Sequence, residues 1–410
     1  MQRIRMSLSY FKEFNWDAEV ITVDQKYSEI SKDYLLMQSL PIGVKIHQIA
    51  ALKKSFTSKI GLGSIALRSL WNYRKKVNQL LKAGNIDLIY FSTTQFPVCV
   101  LGAYWKKKFD IPYIIDMQDP WHSDYYKNKP KHEQPPKYWF SYQLNKYLEL
   151  IAMKHVDGLI AVSKDYISTL NMRYPETKDI PSEVIPFGDF PTDRKIAIEN
   201  SSEFKKLLSP DHINIVYIGR GGADMRKAIS SLFSSVKNGL LTEGELFKYL
   251  RFYFIGTSYA PDGQGNNTVL PIAAEFGIED MVIEITDRIS FYHTLETLQQ
   301  ADALFVPGSD DPKYTASKIY PYISTRKPLL AIFNSKSPAL NILEEYGAKF
   351  AYSYDATEDI GLKILAFLKK IITRNVGEQH YNENVIKKYS AENMTKRQCM
   401  LFDKTINKNI

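Results

Sequence analysis

The sequence predicts an α/β protein built from two doubly wound, Rossmann-like domains that face each other across a cleft. Short apolar, β-branched runs alternate with segments of helical spacing along the whole chain, which indicates parallel sheets covered by helices on both faces. At 410 residues the chain is too long for one ordinary core. A stretch rich in Pro, Asp and Ser, at 186–211, separates two sets of runs and predicts a linker.

Each half of the chain contains six apolar runs of strand length. In the first half these are EVITVD (19–24), VKIHQI (44–49), DLIYFS (87–92), PYIID (112–116), GLIAVS (158–163) and EVIPF (183–187). In the second half they are INIVYI (213–218), LRFYFIG (250–256), MVIEI (281–285), ADALFVP (301–307), PLLAIF (328–333) and KFAYS (349–353). We therefore expect one domain over 1–200, including the linker, and a second over 201–387.

The composition is that of a globular protein, with 44% hydrophobic and 24% charged residues. No run of about 18 apolar residues occurs, so no membrane-spanning helix is expected. Two scattered cysteines, Cys99 and Cys399, suit a reducing cytoplasm better than a disulfide framework or a zinc site. The net charge of +8 favours an anionic partner, which would be a nucleotide, a phospholipid surface or a nucleic acid.

The most informative motif is a glycine-rich turn between a predicted strand and a predicted helix. INIVYI ends in Gly219-Arg220-Gly221-Gly222, and Arg226 and Lys227 follow at the helix start. Free backbone N–H groups and the positive end of the helix dipole would meet there, which predicts a phosphate site. The alternative is a turn that uses glycine only for its backbone angles, with solvated basic residues.

Other polar residues follow the predicted strands, where ligands bind in doubly wound sheets. After the third and fourth strands these are Thr93, Thr94, Asp116, Asp119, Trp121 and His122; in the second half they are Arg288, Ser317 and Lys318. A lysine at a helix N-terminus opposes the helix dipole, so Lys318 indicates a bound anion. The alternative for Lys318 is a solvated lysine of the first helical turn.

Motifs spread over nearly the whole chain resemble nucleotide-sugar glycosyltransferases of the GT-B fold, close to glycosyltransferase family 4. PYIIDMQDPW, HVDGLIAVSKDYISTL and EVIPFGDF resemble their acceptor-side domain, and VYIGRGG, GSDD and SKIYPYISTRKPLLAIF resemble their donor-binding domain. The resemblance implies transfer of a sugar from a nucleotide-diphosphate donor to a saccharide or lipid-linked acceptor, in cell-surface polysaccharide synthesis. It implies no cofactor besides the donor substrate, and a C-terminal helix (388–410) that returns to the first domain.

Carried over by position, Arg220 and Lys227 would bind the donor diphosphate and stabilise the leaving group, with Arg226 as a substitute. The remaining donor-binding positions would be Gly219, Gly221, Gly222, Arg288, Ser317, Lys318 and Tyr320. A pair of glutamates found in many members is absent, because Lys313 and Pro321 stand at those positions. This departure indicates a divergent branch and leaves open how ribose and donor sugar are held.

Asp119 is the candidate acceptor-side catalytic carboxylate, and the alternative is that it caps a turn. Thr93, Thr94, Trp121 and His122 are the other acceptor-side candidates, whereas Asp116 is expected to be structural. The two aspartates are not spaced as Asp-x-Asp, and no His or Cys cluster accompanies them, so no metal is expected.

The stretch 53–82 carries eight Lys and Arg residues beside Trp71 and Tyr73, and it is predicted to be helical from Ser64. Such a helix suits docking on an anionic lipid surface, as for a cytoplasmic enzyme peripheral on the inner face of the membrane. The alternative is an ordinary surface helix with solvated lysines.

The chain opens with helical spacing at 2–14, and the first predicted strand follows. The resembling fold begins with a strand and a glycine-bearing loop, so we expect the first domain to lack its first strand; the alternative is a sheet that starts with EVITVD.

Three other functions stay open: a nucleotide-sugar epimerase, a non-catalytic GT-B relative and a basic nucleic-acid-binding protein. Positive charge inside the site would favour the transferase, and an outer basic stripe with exposed aromatic residues would favour nucleic acid.

Overall fold

The computed structural model describes residues 2–28, 33–57, 63–124, 126–127, 129–135, 137–312, 314, 318–376 and 379–407. The chain divides into two compact units. Unit 1 contains Met1–Phe187 and Ala391–Ile410, and unit 2 contains Gly188–Ser390. No helix in the described part of the chain is long and apolar enough to cross a membrane.

All twelve predicted strands are present, which confirms the α/β class with parallel sheets. The strands are β1 Glu19–Val23, β2 Lys45–Ile49, β3 Ile89–Ser92, β4 Tyr113–Met117, β5 Gly158–Ala161, β6 Ser182–Val184, β7 Ile213–Ile218, β8 Leu250–Ile255, β9 Val282–Ile285, β10 Ala303–Pro307, β11 Leu329–Phe333 and β12 Ala351–Ser353.

Four helices begin at residues whose side chains accept backbone N–H bonds, namely Ser290, Ser337, Asp359 and Asn382. The bounds of the helices among the described residues follow. They are α1 Gln2–Leu8, α2 Lys54–Thr57, α3 Ile65–Lys82, α4 Val100–Phe109, α5 Tyr138–Met153, α6 Lys164–Arg173, α7 Pro191–Glu199, α8 Arg226–Phe247, α9 Leu270–Phe276, α10 Phe291–Gln300, α11 Ile319–Ser324, α12 Pro338–Tyr346, α13 Ile360–Ile372, α14 Glu383–Lys388 and α15 Ala391–Asn407.

Unit 1 has a four-stranded parallel sheet in the order β3-β4-β5-β6 and a separate parallel pair, β1-β2. Side chains alternate across the sheet, so Tyr113 and Ile115 of β4 face one core while Ile114 faces another. Helices α3, α4 and α5 cover the first core, and α1 and α15 cover the second. This two-sided covering explains why β4 and β5 are buried along their whole length.

Unit 2 has a six-stranded parallel sheet in the order β12-β11-β10-β7-β8-β9. The chain enters at the centre with β7, extends outward through β9, and then crosses back to build β10, β11 and β12 on the other side. This order creates a topological switch point between β7 and β10, where ligands bind in doubly wound sheets.

The boundary between the units falls at Phe187/Gly188, earlier than the sequence indicated. Residues 188–200 belong to unit 2, because α7 in the expected linker packs against α10. The C-terminal helix α15 lies in unit 1, where its Arg397 hydrogen bonds to Glu183 and to the Val184 carbonyl.

Candidate functional site

The candidate site lies at the carboxyl ends of the unit 2 strands, beside the switch point. β7 is buried from Asn214 onward and ends at Ile218. Gly219 follows it, and its φ of +155° favours glycine. A Cβ atom at this position would lie 1.5 Å from the Lys318 Nζ atom, so glycine lets this ammonium rest against the backbone. Lys318 immediately precedes α11, on the other side of the switch point.

The Lys318 ammonium has no carboxylate partner among the described residues. Its Nζ donates to Tyr217 Oη at 3.3 Å and lies 5.0 Å from the centre of that ring. Tyr217 Oη in turn donates to the Arg220 carbonyl at 2.9 Å. Burial, followed by the nearby positive charges of Arg220 and Arg288, lowers the pKa of Lys318 to about 7. A bound anion would relieve this electrostatic cost, so the geometry suits a phosphate group.

Arg220 is not free to bind a ligand with its whole guanidinium group. It forms two parallel hydrogen bonds with the Asp224 carboxylate, each 2.7 Å long. These bonds raise the pKa of Arg220 above its ordinary range. Burial opposes ionisation of Asp224, but its bonds from Arg220 and Ser309 outweigh that effect and lower the pKa of Asp224.

Asp224 is the residue that sequence reasoning missed. Its side chain accepts from Ser309 Oγ at 2.8 Å, and its carbonyl accepts from the Asp310 N–H at 2.8 Å. Asp224 therefore joins the loop after β7 to the loop after β10 across the switch point. A weak signal was present in the sequence, because Arg220 and Asp224 are opposite charges four positions apart in one short turn segment.

The glycine-rich turn offers fewer free amides than predicted. The Gly219 N–H donates to the Ile255 carbonyl at 2.7 Å, and the Gly221 N–H donates to the Thr257 carbonyl at 2.9 Å. A Cβ at Gly221 would lie 2.3 Å from Thr268 Oγ1, so this glycine permits close loop packing. A Cβ at Gly222 would lie 2.5 Å from Asp224 Oδ1, so its space is filled by protein as well.

The other predicted cations of unit 2 occupy different places. Arg226 forms an exposed ion pair with Glu275 of α9. Lys227 is exposed, and its ammonium lies 5.7 Å from the Tyr354 ring centre. Arg288 is exposed too, and its guanidinium lies 4.8 Å from the Tyr259 ring centre. The positive charge of Arg288 is one of the causes that lower the pKa of Lys318. Arg288 and Lys318 therefore approach one point, and Arg226 is engaged elsewhere.

Ser317 and Tyr320 are the remaining donor-binding candidates. Ser317 lies outside the described residues. Tyr320 is buried in α11, where its ring packs against those of Tyr389 (5.4 Å between centres) and Tyr346 (6.3 Å). The expectation that Tyr320 contacts a donor is wrong for this structure, because its ring belongs to an aromatic core.

In unit 1, Asp119 follows β4 and is exposed. It makes no hydrogen bond within the described residues, and protein around it displaces water and raises the pKa of its carboxyl. Thr93 Oγ1 accepts from the Gln95 N–H at 2.9 Å and shapes the turn after β3, and Thr94 is exposed. These residues remain open to a ligand of unit 1.

Trp121 and His122 are core residues rather than surface groups. Trp121 stacks on Phe96 at 5.6 Å and donates to Asn145. The Glu149 carboxylate is buried and lies 3.0 Å from His122 Nδ1, with further hydrogen bonds from Arg173 (3.1 Å) and the Tyr174 hydroxyl. This buried network fixes the loop after β4, so these two positions are corrected from acceptor contacts to loop anchors.

Asp116 is fully buried and forms a 2.6 Å ion pair with Arg3. Tyr90 and Gln118 also donate to the same carboxylate oxygen, Oδ2. This agrees with the structural role expected from its position at a strand end. Among the described residues, no group of three or more His, Cys, Asp or Glu side chains could hold a metal ion.

The fold of the whole chain resembles solved structures at low sequence identity. A sucrose-phosphate synthase from Thermosynechococcus elongatus has a TM-score of 0.59 and 13% identity, over 99% of this chain and 93% of that one. The N-terminal domain of a Candida albicans trehalose-6-phosphate phosphatase has a TM-score of 0.56 and 14% identity, over 97% and 93%. An E. coli structure described as trehalose-6-phosphate bound with UDP-2-fluoro glucose has a TM-score of 0.52 and 12% identity, over 95% and 92%.

These likenesses show the GT-B fold of two Rossmann-like domains, as the sequence predicted. No protein-family model matches the sequence, and no curated protein matches it significantly.

Proposed function

We propose that the protein is a glycosyltransferase that takes a sugar from a nucleotide-diphosphate donor bound by unit 2. The Lys318 ammonium carries this proposal. It lies against Gly219 at the switch point, near Arg220 and Arg288, and no described carboxylate neutralises it. Asp224 pairs with Arg220, but the Lys318 charge stays unpaired among the described residues and is repelled by its neighbours unless an anion binds beside it.

The fold favours a nucleotide sugar over other phosphates as this anion. Among the similar structures, one is described as bound with UDP-2-fluoro glucose, and another is a sucrose-phosphate synthase. A donor diphosphate is an anion and would supply the negative charge that Lys318 does not receive from any described carboxylate. We therefore infer that Lys318 contacts the diphosphate, with Arg220 and Arg288 beside it.

The same cations suit the chemistry of transfer. As the bond between the sugar and the diphosphate breaks, negative charge grows on the leaving oxygen, and fixed cations stabilise that charge. Asp224 holds Arg220 in one orientation, so little reorganisation is needed during the reaction. In this proposal the cations supply the charge that a metal ion supplies elsewhere, and transfer is metal-independent.

Unit 1 would supply the acceptor side of the reaction. Asp119 is our candidate for the carboxylate that assists the acceptor hydroxyl, since its pKa is raised and its side chain is unengaged among the described residues. The acceptor is proposed to be a saccharide or a lipid-linked saccharide in cell-surface polysaccharide synthesis. A lipid-linked acceptor would bring the enzyme to a membrane surface.

Titration calorimetry with UDP, GDP, ADP and the matching monophosphates tests the donor site. We expect one diphosphate to bind at least about tenfold more tightly than its monophosphate, because a charge-assisted contact contributes roughly 1.5–3 kcal/mol. Lys318→Met should lose this preference, whereas Lys336→Met, an exposed lysine of the same unit, should keep it. Equal affinity of the wild type and Lys318→Met for every diphosphate would refute the site.

A further inference from the structure

Helices α3, α4 and α5 lie side by side over one face of the unit 1 sheet. Their inner residues enter a single core with β3, β4 and β5; these are Val77, Leu81, Leu101, Trp105, Ala152 and Met153. Neighbouring helices also bond laterally, since Trp105 Nε1 donates to Asn78 Oδ1 at 3.0 Å. The solvent sides of the three helices therefore make one surface, which we name the outer helical face.

The outer helical face is basic because the three helices contain almost no acid. Their cations are Arg68, Arg74, Lys75, Lys76, Lys82, Lys106, Lys107, Lys108 and Lys146. Their single carboxylate is Glu149, which is 1% exposed and bonded inside unit 1 to Arg173 and Tyr174. Arg68 is buried and Lys106 pairs with Asp157, so seven cations remain toward solvent.

Large apolar side chains also stand in the solvent on this face. Along α5, Trp139, Tyr147 and Leu150 are 73%, 63% and 46% exposed, and Phe140 is 54% exposed. Their spacing places 139, 143, 147 and 150 on one side of the helix. Trp71 of α3 adds a further ring at 69% exposure. A surface of this kind is costly to leave in water and marks an interaction site.

We propose that the outer helical face docks unit 1 on an anionic lipid bilayer. Trp and Tyr rings prefer the boundary between headgroups and acyl chains, and Phe and Leu can enter the acyl boundary. Lysines beside them meet the negative headgroups without a fixed geometry. The surface is wider than the 53–82 stretch that the sequence singled out, since α5 supplies most of its apolar side chains.

The composition of the face favours a bilayer over a nucleic acid. Arginine predominates where phosphates and bases are read by paired hydrogen bonds. Here the solvent-facing cations are lysines except Arg74, whose guanidinium is 4.3 Å from the Tyr104 ring centre. The exposed side chains of Leu150 and Phe140 have no hydrogen-bonding atoms with which to contact a phosphate or the polar edge of a base. The proposal rests on unit 1 alone and does not depend on the donor site.

Vesicle co-sedimentation of the full chain tests this docking. The protein should bind vesicles of equal parts phosphatidylcholine and phosphatidylglycerol, and bind pure phosphatidylcholine far less. Lys75→Gln/Lys107→Gln/Lys146→Gln should weaken binding to the anionic vesicles on the order of 100-fold, at roughly fivefold per charge. Trp139→Gln/Tyr147→Gln should weaken binding to the anionic vesicles roughly tenfold. Because this variant keeps its lysines, it should still prefer anionic vesicles over pure phosphatidylcholine, and its binding should still weaken with salt.

Matched control variants remove the same number of charges or apolar side chains from unit 2 instead of from the outer helical face. Lys237→Gln/Lys336→Gln/Lys349→Gln removes three exposed charges elsewhere, and Tyr249→Gln/Leu362→Gln removes two exposed apolar side chains elsewhere. Both controls should bind anionic vesicles like the wild type. The proposal is overturned if the wild type ignores anionic vesicles, if the controls lose as much binding as the face variants, or if single- or double-stranded DNA displaces the protein from vesicles through the same lysines.

Discussion

Replacing Lys318 with methionine should stabilise the free protein and weaken nucleotide binding at the same time. In the wild type the ammonium lies beside Arg220 and Arg288 and has only Tyr217 as a hydrogen-bond partner among the described residues. Methionine has a similar length and no charge, so it removes the repulsion without leaving a large cavity. A lysine that served only the fold would show the opposite effect on stability.

The magnitude follows from the pKa. A fall from the ordinary value of 10.5 to about 7 corresponds to at most about 5 kcal/mol at about 1.4 kcal/mol per pKa unit. Partial exposure lets water and salt screen much of this, and the lost bond to Tyr217 costs about 1 kcal/mol. We expect a net gain of about 1–2 kcal/mol, which raises the melting temperature of a unit of this size by roughly 2–8 °C.

The pH dependence of stability distinguishes the removal of charge repulsion from the burial of a more apolar side chain in Lys318→Met. The unfolded chain keeps the Lys318 proton up to its ordinary pKa of 10.5, whereas the folded protein releases it near pH 7. Between these values the unfolded state binds more protons, so wild-type stability rises with pH. The advantage of Lys318→Met should therefore be greatest at and below pH 7 and should disappear toward pH 10.5.

Calorimetric melting and nucleotide titration of the same samples check both effects. Diphosphate affinity of the wild type should fall above about pH 7, by up to about tenfold per pH unit, because the neutral amine no longer attracts the phosphate. Lys318→Met should bind weakly at every pH, and Lys336→Met should behave like the wild type. A lower melting temperature of Lys318→Met at pH 7, or an advantage that does not change with pH, would refute the reasoning.

Three further predictions concern the neighbouring networks. Arg220→Ala should weaken diphosphate binding at least about tenfold and destabilise the protein by about 1–3 kcal/mol, since Asp224 loses its partner; titration and melting should show that adding Asp224→Ala restores stability but not affinity. Asp119→Asn should slow sugar transfer at least about 100-fold in a single-turnover assay, and a changed diphosphate affinity would contradict its assignment to the acceptor side. Glu149→Ala should destabilise the protein by about 3–5 kcal/mol because it strands the Arg173 charge, and calorimetry should find diphosphate binding retained.

The strands could be predicted from sequence because their signal is local. A strand buried on both faces must be a short, continuous apolar run, and β7, β10 and β11 have that form with a glycine or proline at or near one end. The start of α3 was equally readable, because Ser64 stands directly before the helical spacing and is the N-cap residue in the structure. The domain boundary was less readable, since α7 is polar in sequence and its packing on α10 is decided about 100 residues later.

The partners of side chains after the strands could not be predicted in the same way. Trp121 and His122 stand in a polar loop, yet they turn inward because Phe96, Asn145 and Glu149 from other elements receive them. Residue type and position in a loop say nothing about which side chains meet it from distant segments. The Arg220–Asp224 pair was the exception, because its two members lie four residues apart in the same short segment.

Total charge was the least informative quantity, because it adds contributions that act at different places. The net charge of +8 indicated one anionic partner, whereas the structure separates two kinds of positive surface. In unit 2 the cations are few, partly buried and aimed at a point, so their repulsion is strong and a small anion can relieve it. On the outer helical face the cations are many and exposed, and solvent screens each of them. Each cation therefore contributes little binding free energy, and only an extended anionic surface can contact enough of them at once. Burial, rather than charge number, is therefore the reason why we propose a compact ligand for unit 2 and an extended one for unit 1.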